Sequence, residues 1–256
     1  MGLCFTANMK DYINFLKETS KNAYLQIKDF KKEVSIKGSR DFLTNCDLAV
    51  EKVMIAEIQK NYPDTDIISE EFNFDKARTK KYFTIDPIDG TINFASGLDI
   101  WGIVSSYSEF EKTKASCLYF PKLGRLFHAE KGKGAFCGDA KVFVSPKKEI
   151  GNCVVAFDFS KANELNYEAM KLVSKQVMRV REFGAASFAF SMVACGSIDA
   201  YCVLQNTPWD IDPGVLLCEE AGAKIFRHDF CTIVANNAEL IKLIKKALEQ
   251  AFNVKL

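Results

Sequence analysis

The sequence predicts an α/β protein with an α+β layered arrangement of helices and of mixed and antiparallel sheets. Apolar residues recur at helical spacing near the N-terminus. Short strands bounded by turn residues follow in the middle of the chain, and after Cys153 strands alternate with helices. No repeat or linker interrupts the 256 residues, so we expect a single domain. Its N-terminal α+β part spans about 1–145 and its C-terminal α/β part about 150–256.

The N-terminal part begins with two predicted helices, Tyr12–Val34 and Phe42–Ile58, separated by the loop Lys37–Asp41. The segment Asp66–Glu71 reads as a short strand that ends in acidic residues. The β-forming residues Phe83–Ile85 predict a buried strand.

Five further strands are predicted to pair as antiparallel hairpins. They cover Trp101–Tyr107, Lys114–Tyr119, Arg125–Ala129, Gly134–Phe136 and Lys141–Val144.

The C-terminal part alternates strands and helices, as in a layered α/β/α arrangement. The predicted strands are Val154–Phe157, Met178–Val180, Asp199–Val203, Lys224–Phe226 and Thr232–Ala235, and the predicted helices are Asn163–Lys175, Ala185–Cys195, Pro213–Ala221 and Ala238–Ala251. The longest uncharged run, Phe183–Ile198, has 16 residues. A membrane span needs ~20, so we expect a buried helix there and no membrane association.

Composition excludes several classes of function. The 34 basic and 33 acidic residues give a net charge of +1, so no global field favours nucleic acid or an anionic membrane. Nine cysteines without a C-x-x-C pair indicate reduced thiols and a cytoplasmic location. With two histidines, neither near a cysteine pair, a zinc site is not expected.

The segment Tyr82–Phe94 carries the clearest functional signal. Asp86 and Asp89 follow a buried strand, Gly90 permits a tight turn, and Thr91 is a favourable N-cap for a helix. Carboxylates at that edge of a sheet attract a hard cation, and the N–H groups of a helix start attract an anion. The combination indicates a metal-assisted reaction on a phosphate.

Two more acids belong to this pattern, because Glu70 closes a strand and Asp210 precedes a helix. Taken singly, each has a plain structural explanation: Asp210 as a helix cap, Glu70 as an exposed loop acid, and the Asp86/Asp89 pair as a turn that caps its own helix. Together they favour a site for paired metal ions.

Three motifs resemble the signatures of the inositol monophosphatase family, a group of Mg²⁺-dependent, Li⁺-sensitive phosphatases. They are Ser69-Glu70-Glu71, Asp86-Pro87-Ile88-Asp89-Gly90-Thr91 and Trp209-Asp210, and the similarity extends from about Lys37 to Ala235. The resemblance implies an alternating α/β/α/β/α sandwich with mixed and antiparallel sheets, a homodimer, and hydrolysis of a small-molecule phosphate ester by metal-activated water.

The resemblance also implies a role for each matched residue. Two to three Mg²⁺ ions would be held by Glu70, Asp86, the Ile88 carbonyl, Asp89 and Asp210. Asp86 would bridge the first two ions, and Glu70 would assist a third.

The remaining roles concern water and substrate. Thr91 and Asp47, together with Glu70, would be catalytic and orient the attacking water, and Lys37 would lie near a mobile activating loop. The substrate would contact Ile88, Asp89, Gly90, Thr91, Gly184, Ala185, Ala186, Asp210 and the position of Val203.

The chain departs from the family at the substrate site. Inositol-specific members carry Glu where this chain has Val203, which weakens the case for inositol recognition. Asp212 reads as a first-turn acid and Glu182 as a surface acid. Inositol monophosphate and sugar phosphates such as fructose-1,6-bisphosphate stay open as substrates, with 3′-phosphoadenosine 5′-phosphate or histidinol phosphate as alternatives. A further alternative is a protein of the same fold that acts through a protein or RNA partner.

Overall fold

A computed structural model describes residues 11–38, 41–158, 164–204 and 206–256. Its first half contains α1 (Tyr12–Ile27), β1 (Val34–Gly38), β2 (Asp41–Thr44), α2 (Asn45–Asn61), β3 (Asp66–Ser69), β4 (Lys81–Asp89), α3 (Thr91–Ser96), β5 (Gly102–Glu109), β6 (Lys112–Phe120), β7 (Arg125–Glu130), β8 (Gly134–Cys137) and β9 (Ala140–Val142). Its second half contains β10 (Val154–Phe157), α4 (Glu164–Ser174), β11 (Arg179–Arg181), α5 (Ala186–Ala194), β12 (Ala200–Val203), α6 (Pro208–Glu220), β13 (Lys224–His228), β14 (Cys231–Ala235) and α7 (Ala238–Phe252).

Two large sheets organise the fold. The first has seven strands in the order β3-β4-β5-β6-β7-β8-β9. Only its β3–β4 pair is parallel, and the hairpins from β5 onward follow one another as the sequence predicted. The second has five strands in the order β11-β10-β12-β14-β13, with β10 parallel to both neighbours and β14 antiparallel to both of its own.

The helices form three layers around these sheets. Helices α1 and α2 cover the outer face of the first sheet, α5 and α6 lie between the two sheets, and α4 and α7 cover the outer face of the second. The side chains of β12 alternate between the two helix layers that the second sheet separates. Tyr201 and Val203 face the middle layer, while Ala200 and Cys202 face the outer one. The predicted α/β/α/β/α sandwich is therefore confirmed.

The prediction was wrong between the first two helices. Helix α1 ends at Ile27, and Val34–Gly38 instead pairs with Asp41–Thr44 as a hairpin. β-branched residues favour the extended backbone after a charged, aperiodic stretch. Helix α2 starts later than predicted because Thr44 closes a capping box with Asp47. Ser39 and Arg40 of the predicted loop lie outside the described residues, as does Asn163.

The uncharged run around α5 is a helix of the middle layer, almost fully buried by α6 and the two sheets. None of the helices in the described part of the chain combines the length and the apolar character that a bilayer crossing requires.

Candidate active site

Strand β4 presents the carboxylates of Asp86 and Asp89 on the same side. It extends to Asp89, further than predicted, and is buried from Tyr82 onward. Residues three apart on a regular strand point to opposite faces. Here the register against β5 shifts between Asp86 and Asp89, so that Asp86 pairs with Val104 and Asp89 with Gly102. This bulge places two residues of β4 opposite one of β5 and returns Asp89 to the side of Asp86.

The turn after β4 depends on Gly90, which has φ +87° and is the N-cap of α3. A Cβ at this position would lie 3.0 Å from the Ala185 Cβ and 3.1 Å from the Ile100 carbonyl oxygen. Glycine is therefore required for both conformation and space. Thr91 is the first residue of the helix and not its cap, and its Oγ1 donates to the Ile88 carbonyl at 2.9 Å.

Asp210 comes from α6, in the second half of the chain. The helix begins at Pro208 with Thr207 as N-cap, so it starts before the predicted Pro213. Asp210 lies in the first turn, where it accepts a hydrogen bond from the Thr207 hydroxyl. Asp210 is therefore not the N-cap of this helix, because Thr207 holds that position.

The three aspartates meet in space. One carboxylate oxygen each from Asp86, Asp89 and Asp210 lies within 4.8 Å of the others. Asp86 Oδ1 is buried and has no hydrogen-bond partner among the described residues. Burial, followed by the charges of Glu70, Asp89 and Asp210, raises the pKa of Asp86 well above its ordinary range. Burial and the neighbouring Asp210 raise the pKa of Asp89 to about 7. A cation bound between the three carboxylates would offset their mutual repulsion.

Glu70 lies beside the three aspartates but contributes no oxygen to their group. Burial and Asp210 raise its pKa well above the ordinary value, and Lys37 acts in the opposite direction. The Lys37 Nζ lies 3.8 Å from Glu70 Oε1 and 2.8 Å from Glu71 Oε1. The structure thus brings Lys37 to the acidic group, beside the end of β3.

Asp47 is buried at the start of α2. Its Oδ2 accepts hydrogen bonds from the Thr44 backbone and hydroxyl, and its Oδ1 has no partner among the described residues. Burial raises its pKa to about 6. The Thr91 hydroxyl donates to the Ile88 carbonyl, and the role of Thr91 and Asp47 in orienting the attacking water stays a prediction.

The start of α5 holds the Asp89 carboxylate, and the predicted substrate contact of Ala186 stays a prediction. The Ala186 N–H donates to Asp89 Oδ1 at 3.0 Å, and the Ser187 N–H and hydroxyl both donate to Asp89 Oδ2. The Ala186 N–H therefore holds a carboxylate of the protein, as the positive end of a helix favours. Ser187 was missed. A small polar residue in the first turn of the predicted helix was the available signal.

The structure places Val203 in the apolar middle layer, where its side chain is fully buried. The alternation of β12 turns it toward α5 and α6, so it packs in the core and offers no surface to a polar substrate.

Gly184 and Ala185 do border the site, where both approach Gly90. Asn93 fixes this corner: its Nδ2 donates to the Ile100 and Phe183 carbonyls at 2.8 and 2.7 Å. Sequence reasoning missed Asn93, because its two acceptors are set by the tertiary fold.

Of the two further acids singled out in the sequence, Asp212 is buried and Glu182 is exposed. Asp212 is buried, with Oδ1 3.0 Å from an Arg227 nitrogen and Oδ2 3.5 Å from an Arg78 nitrogen, so it is not a simple first-turn acid. Glu182 is exposed, as predicted, and accepts the Gly184 N–H at 2.8 Å.

Comparisons with known proteins show the family of this chain. The model of the inositol monophosphatase family matches residues 8–252. The Nus factor SuhB of Vibrio cholerae is 33% identical over 198 residues, which cover 75% of this chain and 74% of the relative. The fructose-1,6-bisphosphatase/inositol-1-monophosphatase of Thermotoga maritima is 29% identical over 226 residues, covering 83% and 86%.

A solved structure shows the same architecture. The Thermotoga maritima IMPase superposes with a TM-score of 0.82 at 26% identity, over 94% of this chain and 96% of that one. The chain belongs to the inositol monophosphatase family and is a phosphoric monoester hydrolase.

Proposed function

We propose that this protein is a Mg²⁺-dependent phosphomonoesterase of a small phosphorylated metabolite. The observation that carries the proposal is the buried meeting point of Asp86, Asp89 and Asp210. Three carboxylates that repel one another cost stability unless a cation joins them.

The donor set fits Mg²⁺. It consists only of oxygens, which a hard cation prefers, and Mg²⁺ keeps several waters of its own. Asp86, Asp89 and Asp210 would hold the metal, with Glu70 beside them. The Ile88 carbonyl accepts the Thr91 hydroxyl and has a second lone pair for a cation. When bound, two to three such ions would supply an activated water and neutralise charge on the phosphoryl oxygens.

The protein groups around the carboxylates orient the reactants. The bonds from Ala186 and Ser187 fix the Asp89 carboxylate, and the Thr207 hydroxyl fixes Asp210. Asp47 Oδ1 has no partner among the described residues and would accept a hydrogen bond that orients the attacking water. The N–H groups of Gly90 and Thr91 would hold phosphate oxygens beside the carboxylates.

The test of the metal site is Asp86→Asn, with the exposed Asp66→Asn as a matched control. We expect Asp86→Asn to lose about 100-fold or more of the Mg²⁺-dependent phosphate release, as when one preorganised transition-state interaction is removed. Asp66→Asn should retain it. If Asp86→Asn keeps most of its activity, the role of Asp86 is wrong.

Substrate choice needs a separate assay. Inositol monophosphate and sugar phosphates such as fructose-1,6-bisphosphate are the leading candidates, followed by 3′-phosphoadenosine 5′-phosphate and histidinol phosphate. The apolar, buried Val203 argues against an acceptor for an inositol hydroxyl at that position. Phosphate release across this panel, with Mg²⁺ and then with added Li⁺, ranks the candidates by kcat/KM.

A second candidate function is suggested by the relative named Nus factor. In that case the fold would act mainly through a protein or RNA partner. The balanced charge gives no basic field for RNA, so this proposal ranks second. Pull-down from lysate with and without Mg²⁺, using wild type and Asp86→Asn, separates the two functions. We further propose a homodimer, measured by sedimentation, and a cytoplasmic location.

A further inference from the structure

Helix α2 carries a second buried acid, Glu51, one turn after Asp47. Both side chains are inaccessible to solvent. Glu51 Oε1 accepts hydrogen bonds from the Ser69 hydroxyl and from the Phe72 N–H at 2.8 Å. Glu51 Oε2 accepts the Glu71 N–H at 3.0 Å. One carboxylate thus binds three donors of a single turn.

These donors flank Glu70 on both sides in sequence. Ser69 precedes it, and Glu71 and Phe72 follow it. The Glu70 N–H itself donates to the Ile85 carbonyl of β4 at 3.2 Å. The backbone of Glu70 is therefore fixed between α2 and β4. Its carboxylate lies close enough to Asp86 and Asp210 that, in addition to burial, Asp210 raises the pKa of Glu70 and Glu70 raises the pKa of Asp86.

Glu51 makes no ion pair in the described part of the chain, and burial together with the neighbouring acid Glu71 raises its pKa. A buried carboxylate without a basic partner is costly, and its three hydrogen bonds offset that cost. An apolar residue would fill the space but would leave three donors without an acceptor.

We propose that Glu51 is a positioning residue: it fixes the Ser69–Phe72 turn, and through it the Glu70 carboxylate, and so sets the affinity of the metal centre. The inference rests on the proposed metal-dependent function. Groups that orient metal ligands typically change metal affinity by about 10–100-fold when they are removed.

The test is Glu51→Gln, measured by calorimetric titration of the purified protein with Mg²⁺. Glutamine has the same shape but replaces one acceptor oxygen by a donor, so at least one N–H or O–H of the turn would face another donor. We expect Mg²⁺ to bind about 10–100-fold more weakly. The Mg²⁺ concentration for half-maximal activity should rise by the same factor, while kcat at saturating Mg²⁺ changes less.

A second variant and a control make the result decisive. Ser69→Ala removes one of the three donors and should weaken Mg²⁺ binding in the same direction by a smaller factor. It decides the question if Glu51→Gln does not fold. Asp199→Asn is the control, because Asp199 is equally buried at the amino end of β12 and accepts the Val154 N–H at 2.7 Å. We expect it to lower thermal stability and leave Mg²⁺ affinity unchanged.

Three outcomes would overturn the inference. Folded Glu51→Gln or Ser69→Ala with wild-type Mg²⁺ affinity would show that the turn does not set the site. Equal weakening by Asp199→Asn would show a general effect of lost stability. Wild type without Mg²⁺ binding would overturn the proposed function and this inference with it, whereas the first two outcomes leave the proposed function standing.

Discussion

The metal-free protein should become less stable as pH rises, because Asp89 is buried beside Asp210. Burial and this neighbour raise the pKa of Asp89 from an ordinary value of 3.8 to about 7. A carboxyl group with a higher pKa in the folded chain than in the unfolded chain binds its proton more tightly when folded. The free energy of unfolding is therefore greatest at low pH and falls between the two pKa values.

The size of the effect follows from the pKa difference. A difference of about 3 corresponds to about 4 kcal/mol for Asp89, of which ~2–3 kcal/mol falls between pH 5 and pH 8. The pKa values of Asp86 and Glu70 are raised in the same direction, so their contributions have the same sign.

The assay is urea unfolding of the metal-free protein in chelator, at intervals from pH 5 to pH 8, for wild type and Asp89→Asn. The variant cannot ionise at this position, so its stability should fall less steeply with pH than that of wild type. Saturating Mg²⁺ should oppose the trend, because metal ligands bind in their deprotonated form. Parallel pH curves for wild type and Asp89→Asn would refute the reasoning.

Two packing predictions concern α6. A Cβ at Gly214 would lie 2.2 Å from the Phe190 ring of α5, so Gly214→Ala should cost about 1–3 kcal/mol despite its better helix propensity, as measured by urea unfolding. Asp212→Asn removes the charge that Arg227 and Arg78 share, and since both arginines are partly exposed we expect a loss of ~1–2 kcal/mol by thermal unfolding. An unchanged stability in either variant would contradict the packing described here.

Local sequence was sufficient for most elements and for the metal-ligand candidates. The strand ends and the segment Asp86–Thr91 can be predicted from a few neighbouring residues. These are a run of β-forming residues, a glycine in the turn and acids at the edge of the sheet. Hairpins β5 to β9 were predictable for the same reason, since consecutive antiparallel strands need only local turns.

The parts that could not be predicted depend on distant partners. The bulge that aligns Asp86 with Asp89 is defined by the register against β5. Ser187 and Glu51 acquire their roles from acceptors or donors on other elements. Val203 could not be assigned to the core without knowing which face of β12 meets α6. A sequence motif identifies the candidate metal ligands of a site, but tertiary packing determines which residues surround them.

The two parts of the chain should unfold as one unit, because the middle core is built from both. It contains Leu118 and Phe127 of the first sheet together with Val203 and Val234 of the second. Glu220 of α6 also accepts backbone N–H groups of the β7–β8 turn at 2.9 Å. Each part also has an outer core of its own, but cutting the chain near residue 150 would expose the shared middle core on both sides.

Buried thiols allow a direct measurement of this cooperativity. Cys117 lies in the core beneath α1 and α2, Cys218 in the middle core, and Cys202 in the core beneath α4 and α7. All three are free and fully buried. In pulsed alkylation across a urea series, read by mass spectrometry, they should become reactive at one common midpoint. A lower midpoint for Cys202 than for Cys117 would show that the C-terminal part unfolds separately, and that the chain contains two domains.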